Sequence, residues 1–146
     1  MDLLGLNRTT LGWVLRIKLA MAGTQQRTIL HICTDPLLRD TIRDIIARQG
    51  FSVETAGSLD LGRILAKERS YDLLIVNVHG DVSSIMEFCE QIKALNPSQM
   101  VAFLAGRWTY IPNHGTCPDD VIPKDDGPQG LVRKLHEILG SNPEAN

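Results

Sequence analysis

From Thr28 onward the chain switches repeatedly between two hydrophobic periods, and no other feature narrows its fold as much. Short runs rich in β-branched and apolar residues read as strands. Between them lie segments with apolar residues three and four apart, the spacing of one helix face. Thr28–Cys33 (TILHIC) is the first such strand. Pro36 then stands where a helix can begin, and Leu38, Ile42, Ile45 and Ile46 form its apolar stripe up to Gly50. Phe51–Ala56 is a shorter strand whose alternation suits a sheet edge with one wetter face. Ser58 can cap the next helix, with Leu61, Ile64 and Leu65 as its stripe.

Leu73–Val78 (LLIVNV) is apolar at nearly every position, as a central strand covered on both faces would be. A loop at His79-Gly80-Asp81 leads to a helix carrying Ile85, Cys89, Ile92 and Leu95, with Ser83 and Ser84 as expected caps and Asn96-Pro97 as its stop. Met100–Leu104 and Val121–Pro123 read as two more strands, the second an edge because of its proline. Leu131, Leu135, Ile138 and Leu139 make a last helical stripe closed by Gly140. Strand and helix alternating in this way require parallel strands with right-handed crossovers. The expected fold is α/β, a doubly wound five-stranded parallel sheet in the order 2-1-3-4-5 with helices on both faces. In that plan functional groups gather beyond the carboxyl ends of the strands, here near Cys33/Thr34, Asn77/Val78, Ala105 and Lys124.

The 146 residues suit one domain, expected over 27–140, with an N-terminal extension at 1–26 and a flexible tail at 141–146. Met21 is an alternative start. Residues Leu11–Ala20 are apolar but interrupted by Arg16 and Lys18, which counts against a signal peptide and leaves a short basic helix with Trp13, Ile17 and Ala20 on one side as the other reading. A net charge of −2 with no basic stripe argues against a nucleic-acid surface. No apolar run is long enough to span a bilayer. Three cysteines without CxxC spacing fit buried free thiols in a reducing cytoplasm better than zinc or disulfides.

Three segments together resemble the receiver domain of two-component response regulators, over about Thr28 to Gly140. They are Cys33-Thr34-Asp35-Pro36-Leu37-Leu38-Arg39, Tyr71-Asp72-Leu73-Leu74-Ile75-Val76-Asn77-Val78 and Asp119-Asp120-Val121-Ile122-Pro123-Lys124. The resemblance implies phosphoryl transfer from a histidine kinase to an aspartate. In that chemistry an acidic pair holds Mg²⁺, and a hydroxyl and a lysine bind the phosphoryl oxygens.

Matched position by position, most of those parts are missing. Asn77 stands at the acceptor position, and an amide is not the nucleophile an acyl phosphate needs. Cys33 and Thr34 stand at the acidic pair, so Mg²⁺ binding is expected to be lost and no cofactor is expected. Ala105 stands at the hydroxyl position and Val121 at the aromatic switch. Lys124 matches the pocket lysine. It is expected either as a solvated strand-end lysine or as a donor to the Asn77 side-chain oxygen.

The stretch between Ala105 and Lys124 is short for the family and contains Pro112, Gly115 and Pro118, so the fourth helix is expected to be short, irregular or replaced by a loop. Trp108, Tyr110 and Ile111 lie there, either as a candidate interaction surface or folded back over the core. His79 with Asp81 and Asp35 is a weaker candidate metal site, with Asp125 and Asp126 at the same end. His31 is read as a strand residue, His136 as an exposed helix residue and His114 as isolated in the loop. The expected function is non-enzymatic: a pseudo-receiver that binds a histidine kinase or downstream signalling protein without needing phosphorylation. The alternatives are a kinase decoy or scaffold, a ligand- or metal-binding protein using His79 and its aspartates, or a decayed paralogue.

Overall fold

In chain order the elements are β1 (Thr28–Ile32), α1 (Pro36–Arg48), β2 (Ser52–Ala56), α2 (Leu59–Glu68), β3 (Leu73–Asn77), α3 (Val82–Leu95), β4 (Val101–Ala105), β5 (Asp120–Pro123), a 3₁₀ turn (Lys124–Asp126) and α4 (Gly127–Leu139). This computed structural model describes residues 26–112 and 115–140. The expectations placed on residues 1–25, on His114 and on the tail 141–146 lie outside the described residues. All strands pair in parallel, in the order β2-β1-β3-β4-β5. β3 lies at the centre and β2 and β5 at the edges, as the hydrophobic patterns predict.

The period of two along each strand divides the core into two layers. Leu30, Ile32, Leu74, Val76 and Phe103 face α2 and α3, where Phe88, Cys89 and Ile92 meet them. Ile29, Leu73, Ile75, Ala102, Leu104 and Ile122 face α1 and α4, against Ile42, Ile46, Leu131 and Leu135. Helix starts follow the local chemistry. Asp35 accepts from the Leu37 and Leu38 amides and Pro36 opens α1, while Ser58 accepts from Leu61 to open α2.

Several local expectations need correction. The cap of α3 is Asp81, which accepts from the Ser83 amide; the Ser83 and Ser84 hydroxyls donate to that carboxylate and do not cap the helix themselves. The stripe on α2 is rotated from the expected one, for Leu61 and Ile64 are exposed and the helix buries Gly62. The reason is close approach: a Cβ on Gly62 would stand 2.6 Å from Ile32 Cδ1. Leu95 is likewise exposed, whereas Ile85, Cys89 and Ile92 are buried as expected and Met86 and Phe88 join them on the buried face of α3. His136 is not exposed. Its ring lies 5.7 Å from the Phe51 ring and its Nε2 is 3.3 Å from Gln49 Oε1. All three cysteines are buried free thiols. Among the described residues no helix forms between β4 and β5, and none is long and apolar enough to cross a membrane.

Candidate functional site at the strand carboxyl ends

Parallel strands bring the ends of β1, β3, β4 and β5 to one edge of the sheet. Cys33, Asn77, Ala105 and Lys124 therefore meet there despite their separation in the chain, as the resemblance implies. Thr34 is exposed just beyond β1 and Ala105 is buried at the end of β4.

Lys124 follows β5, and its ammonium reaches across to donate to the Val78 carbonyl at 2.9 Å. Neither sequence expectation for this residue holds. It is half-buried and not a freely solvated lysine, and its partner is a backbone carbonyl, not the Asn77 amide. Burial holds its pKa below the usual lysine value, and the neighbouring Cys33 thiol opposes that effect. Among the described residues Asn77 Oδ1 has no hydrogen-bond partner.

Cys33 is buried, and desolvation raises its thiol pKa, which keeps it protonated and a poor nucleophile. Arg39, one turn into α1, points back and donates Nη1 to the Cys33 carbonyl at 3.0 Å. Sequence alone assigns Arg39 no role. The signal available was its position one helical turn after the Asp35 cap, which aims a long side chain back at the strand ends. Among the described residues neither Arg39 nor Lys124 has a carboxylate within ion-pair distance.

The acids of this edge are engaged elsewhere. Asp35 caps α1 and Asp81 caps α3, where the Ser83 hydroxyl and amide hold the Asp81 pKa below its usual value. Asp125 accepts from the Arg107 amide, and Asp126 lies 3.5 Å from Arg133. His79 is exposed. Among the described residues no three His, Cys, Asp or Glu side chains come together as a cation site, so Asp35, Asp81 and His79 are not assembled into one. A hard divalent ion prefers carboxylate oxygens, whereas a thiol, a hydroxyl and an amide occupy the matched positions. That donor set does not fit Mg²⁺.

The loop after β4 is tied down at its base. Arg107 donates its amide to Asp125, the Thr109 amide closes a turn on Gly106 at 3.0 Å, and Ile111 packs on the core. The two aromatics are left outside, Trp108 91% and Tyr110 80% exposed. The candidate surface is therefore split: Ile111 folds back while Trp108 and Tyr110 face solvent. Val121, at the matched switch position, lies on the edge strand β5 and is exposed.

This is the flavodoxin-like fold of CheY-like receiver domains. No family model matches the sequence, and no curated protein matches it. Solved structures do match in fold. One is the chemotaxis response regulator CheY4 of Vibrio cholerae, with TM-score 0.67 and 17% identity over 79% of this chain and 100% of that one. Another is the response regulator TrrA of Thermotoga maritima in complex with Mg²⁺ and BeF, with TM-score 0.67 and 18% identity over 78% of this chain and 100% of that one. TrrA in complex with the histidine kinase ThkA is similar to the same degree, with TM-score 0.67 and 17% identity over 78% of this chain and 99% of that one. At these identities the likeness is one of fold.

Proposed function

We propose that this chain is a receiver-like module of two-component signalling that works in the cytoplasm by binding a protein partner, without phosphorylation and without Mg²⁺. The observation that carries this reading is the state of the strand-end edge. Asn77 has no nucleophilic atom, its oxygen is unpaired, and Lys124 is engaged with a backbone carbonyl. Asp35 and Asp81 serve as helix caps. Phosphoryl transfer of this kind needs a nucleophilic carboxylate and acids that hold a metal beside it, and Asn77, Cys33 and Thr34 supply neither. The five-stranded sheet that would present a binding surface is meanwhile intact, and Trp108 and Tyr110 are exposed on the loop that follows β4. Such rigid aromatics are common interface anchors.

Incubation with acetyl phosphate and Mg²⁺ followed by intact-mass measurement tests the reading. The expected result is no added phosphoryl mass. A hydroxylamine-labile phosphoryl adduct would overturn it.

A second reading is that the module occupies a histidine kinase as a decoy or scaffold. The TrrA–ThkA complex favours it, because there a protein of this fold is bound to a kinase. Kinase pull-downs with the wild type and with Asn77→Asp separate the two. Capture of a kinase by both forms supports the decoy, and capture of another protein by both supports the first reading.

A further inference from the structure

Two of the three buried thiols are neighbours. Cys89 lies midway along α3 and Cys117 on the stretch that leads into β5. Both are buried in the core layer that also holds Phe88 and Phe103, and their thiols are hydrogen-bonded to each other. An ion pair nearby fixes the same register. Lys93, four residues after Cys89, meets Asp119, two residues after Cys117. Four helical residues rise about 6 Å and two extended residues span about 6.6 Å, so this alignment sets the two thiols opposite one another. Cys33, the third thiol, lies outside that core layer and donates to the Asp35 carbonyl at 3.6 Å.

Thiols in contact need little movement to form a bond of about 2.05 Å. A small disulfide such as oxidised glutathione supplies the only other reactant. One S–S bond forms between Cys89 and Cys117 and one breaks in the glutathione disulfide. Two electrons leave the protein, and the two thiol protons end on two released glutathione molecules. Burial and the Cys117 thiol hold the Cys89 pKa well above its ordinary value, so exchange on the folded chain is slow and the pair is best read at equilibrium. Gly115 and Thr116, directly before Cys117, are exposed, and a reagent approaches the pair from that side.

We propose that Cys89 and Cys117 form a reversible thiol–disulfide site, which on oxidation by a small disulfide ties α3 to the segment that runs from Trp108 and Tyr110 into β5. In a reducing compartment such a pair rests as two thiols, and disulfides formed there are usually transient and redox-sensing. The site uses neither Asn77 nor Lys124 and does not depend on the reading of the chain as a signalling module, so either proposal can fail alone.

The test brings the full chain to equilibrium with mixtures of reduced and oxidised glutathione, once in buffer and once in urea. Alkylation of the remaining thiols and mass mapping of the peptides then read which cysteines are bonded. In buffer one internal disulfide between Cys89 and Cys117 is expected, with Cys33 alkylated. Its equilibrium constant against glutathione should be at least about tenfold larger than in urea, because a loose chain brings the two thiols together only as the ends of a flexible loop. By linkage the oxidised chain should resist urea unfolding by at least about 1.4 kcal/mol more than the reduced one, which is the same factor. Cys117→Ala should form no internal disulfide. The proposal is overturned if glutathione adds only as mixed disulfides, if the internal bond includes Cys33, or if the constant is no larger in buffer than in urea. It also falls if folded Cys117→Ala still forms an internal disulfide. Should that variant fail to fold, the peptide map of the wild type and its comparison between buffer and urea decide between the same outcomes.

Discussion

The two ends of the sheet treat their polar groups in opposite ways. At the amino ends, carboxylates and amides are matched to partners. Asp72 accepts from the Thr28 amide at 2.7 Å, and Gln99, buried, donates to the Tyr71 carbonyl at 2.8 Å. Asp119 accepts from the Val101 amide at 2.8 Å and pairs with Lys93, whose side chain is 11% exposed. At the carboxyl ends, Lys124 and Arg39 lean on backbone carbonyls, Asp35 and Asp81 cap helices, and among the described residues Asn77 Oδ1 has no partner. One end has been built for stability. The other keeps unpaired groups that a ligand or partner can use, as expected where strands of this topology deliver their carboxyl ends.

Breaking the amino end should cost most. Asp119→Ala strands the Lys93 ammonium and leaves the Val101 amide without its side-chain acceptor. A loss of about 2–3 kcal/mol in urea unfolding is expected, the low end of a buried pair's range because both side chains keep some exposure. A loss under about 0.5 kcal/mol would erase the contrast between the two ends.

Next in size is the acid response of His31, near the carboxyl end of β1. Its ring is fully buried, neither ring nitrogen has a hydrogen-bond partner among the described residues, and burial, aided by the Arg39 charge, lowers its pKa from 6.5 to about 4. The unfolded chain therefore binds a proton in a range where the folded one does not. The stabilising contribution is full above pH 6.5 and is lost as the pH falls toward 4. At pH 5 the loss should be about 2 kcal/mol relative to neutral pH. His31→Leu should remove that part of the pH slope, measured as ΔG against pH. An unchanged slope would place the acid sensitivity elsewhere.

Smaller still is the effect expected at Asn77. Asn77→Val removes the unpaired oxygen and suits a strand, so stability should stay level or rise by up to about 1 kcal/mol in thermal unfolding. A clear fall would mean that the amide holds the carboxyl edge together after all. The smallest change belongs to the loop. Trp108→Ala should alter stability by no more than about 0.5 kcal/mol, because the ring is exposed, while Ile111→Ala should cost about 1–2 kcal/mol. A matching loss at both positions would show that the aromatic belongs to the core.

The sequence made the strands, their order and most helix stripes legible, because burial repeats with a local period. It failed where contact depends on a distant element. Gly62 is silent in a hydrophobic pattern, yet its missing side chain lets α2 approach Ile32 and turns Leu61 and Ile64 outward. Ser83 and Asp81 both fit the start of α3, and only the backbone path makes the aspartate the cap. Arg39 had no sequence signal beyond helical position.

By itself the sequence determined that a parallel α/β sheet would form and that Cys33, Asn77, Ala105 and Lys124 would share one edge. Periodicity and strand order suffice for that, since both follow from backbone geometry. Tertiary structure alone decided how those residues are used. Lys124 meets a carbonyl 46 positions away, not the Asn77 amide. Hydrogen bonds and packing voids depend on distances of a few ångströms between remote segments, and no local pattern encodes them.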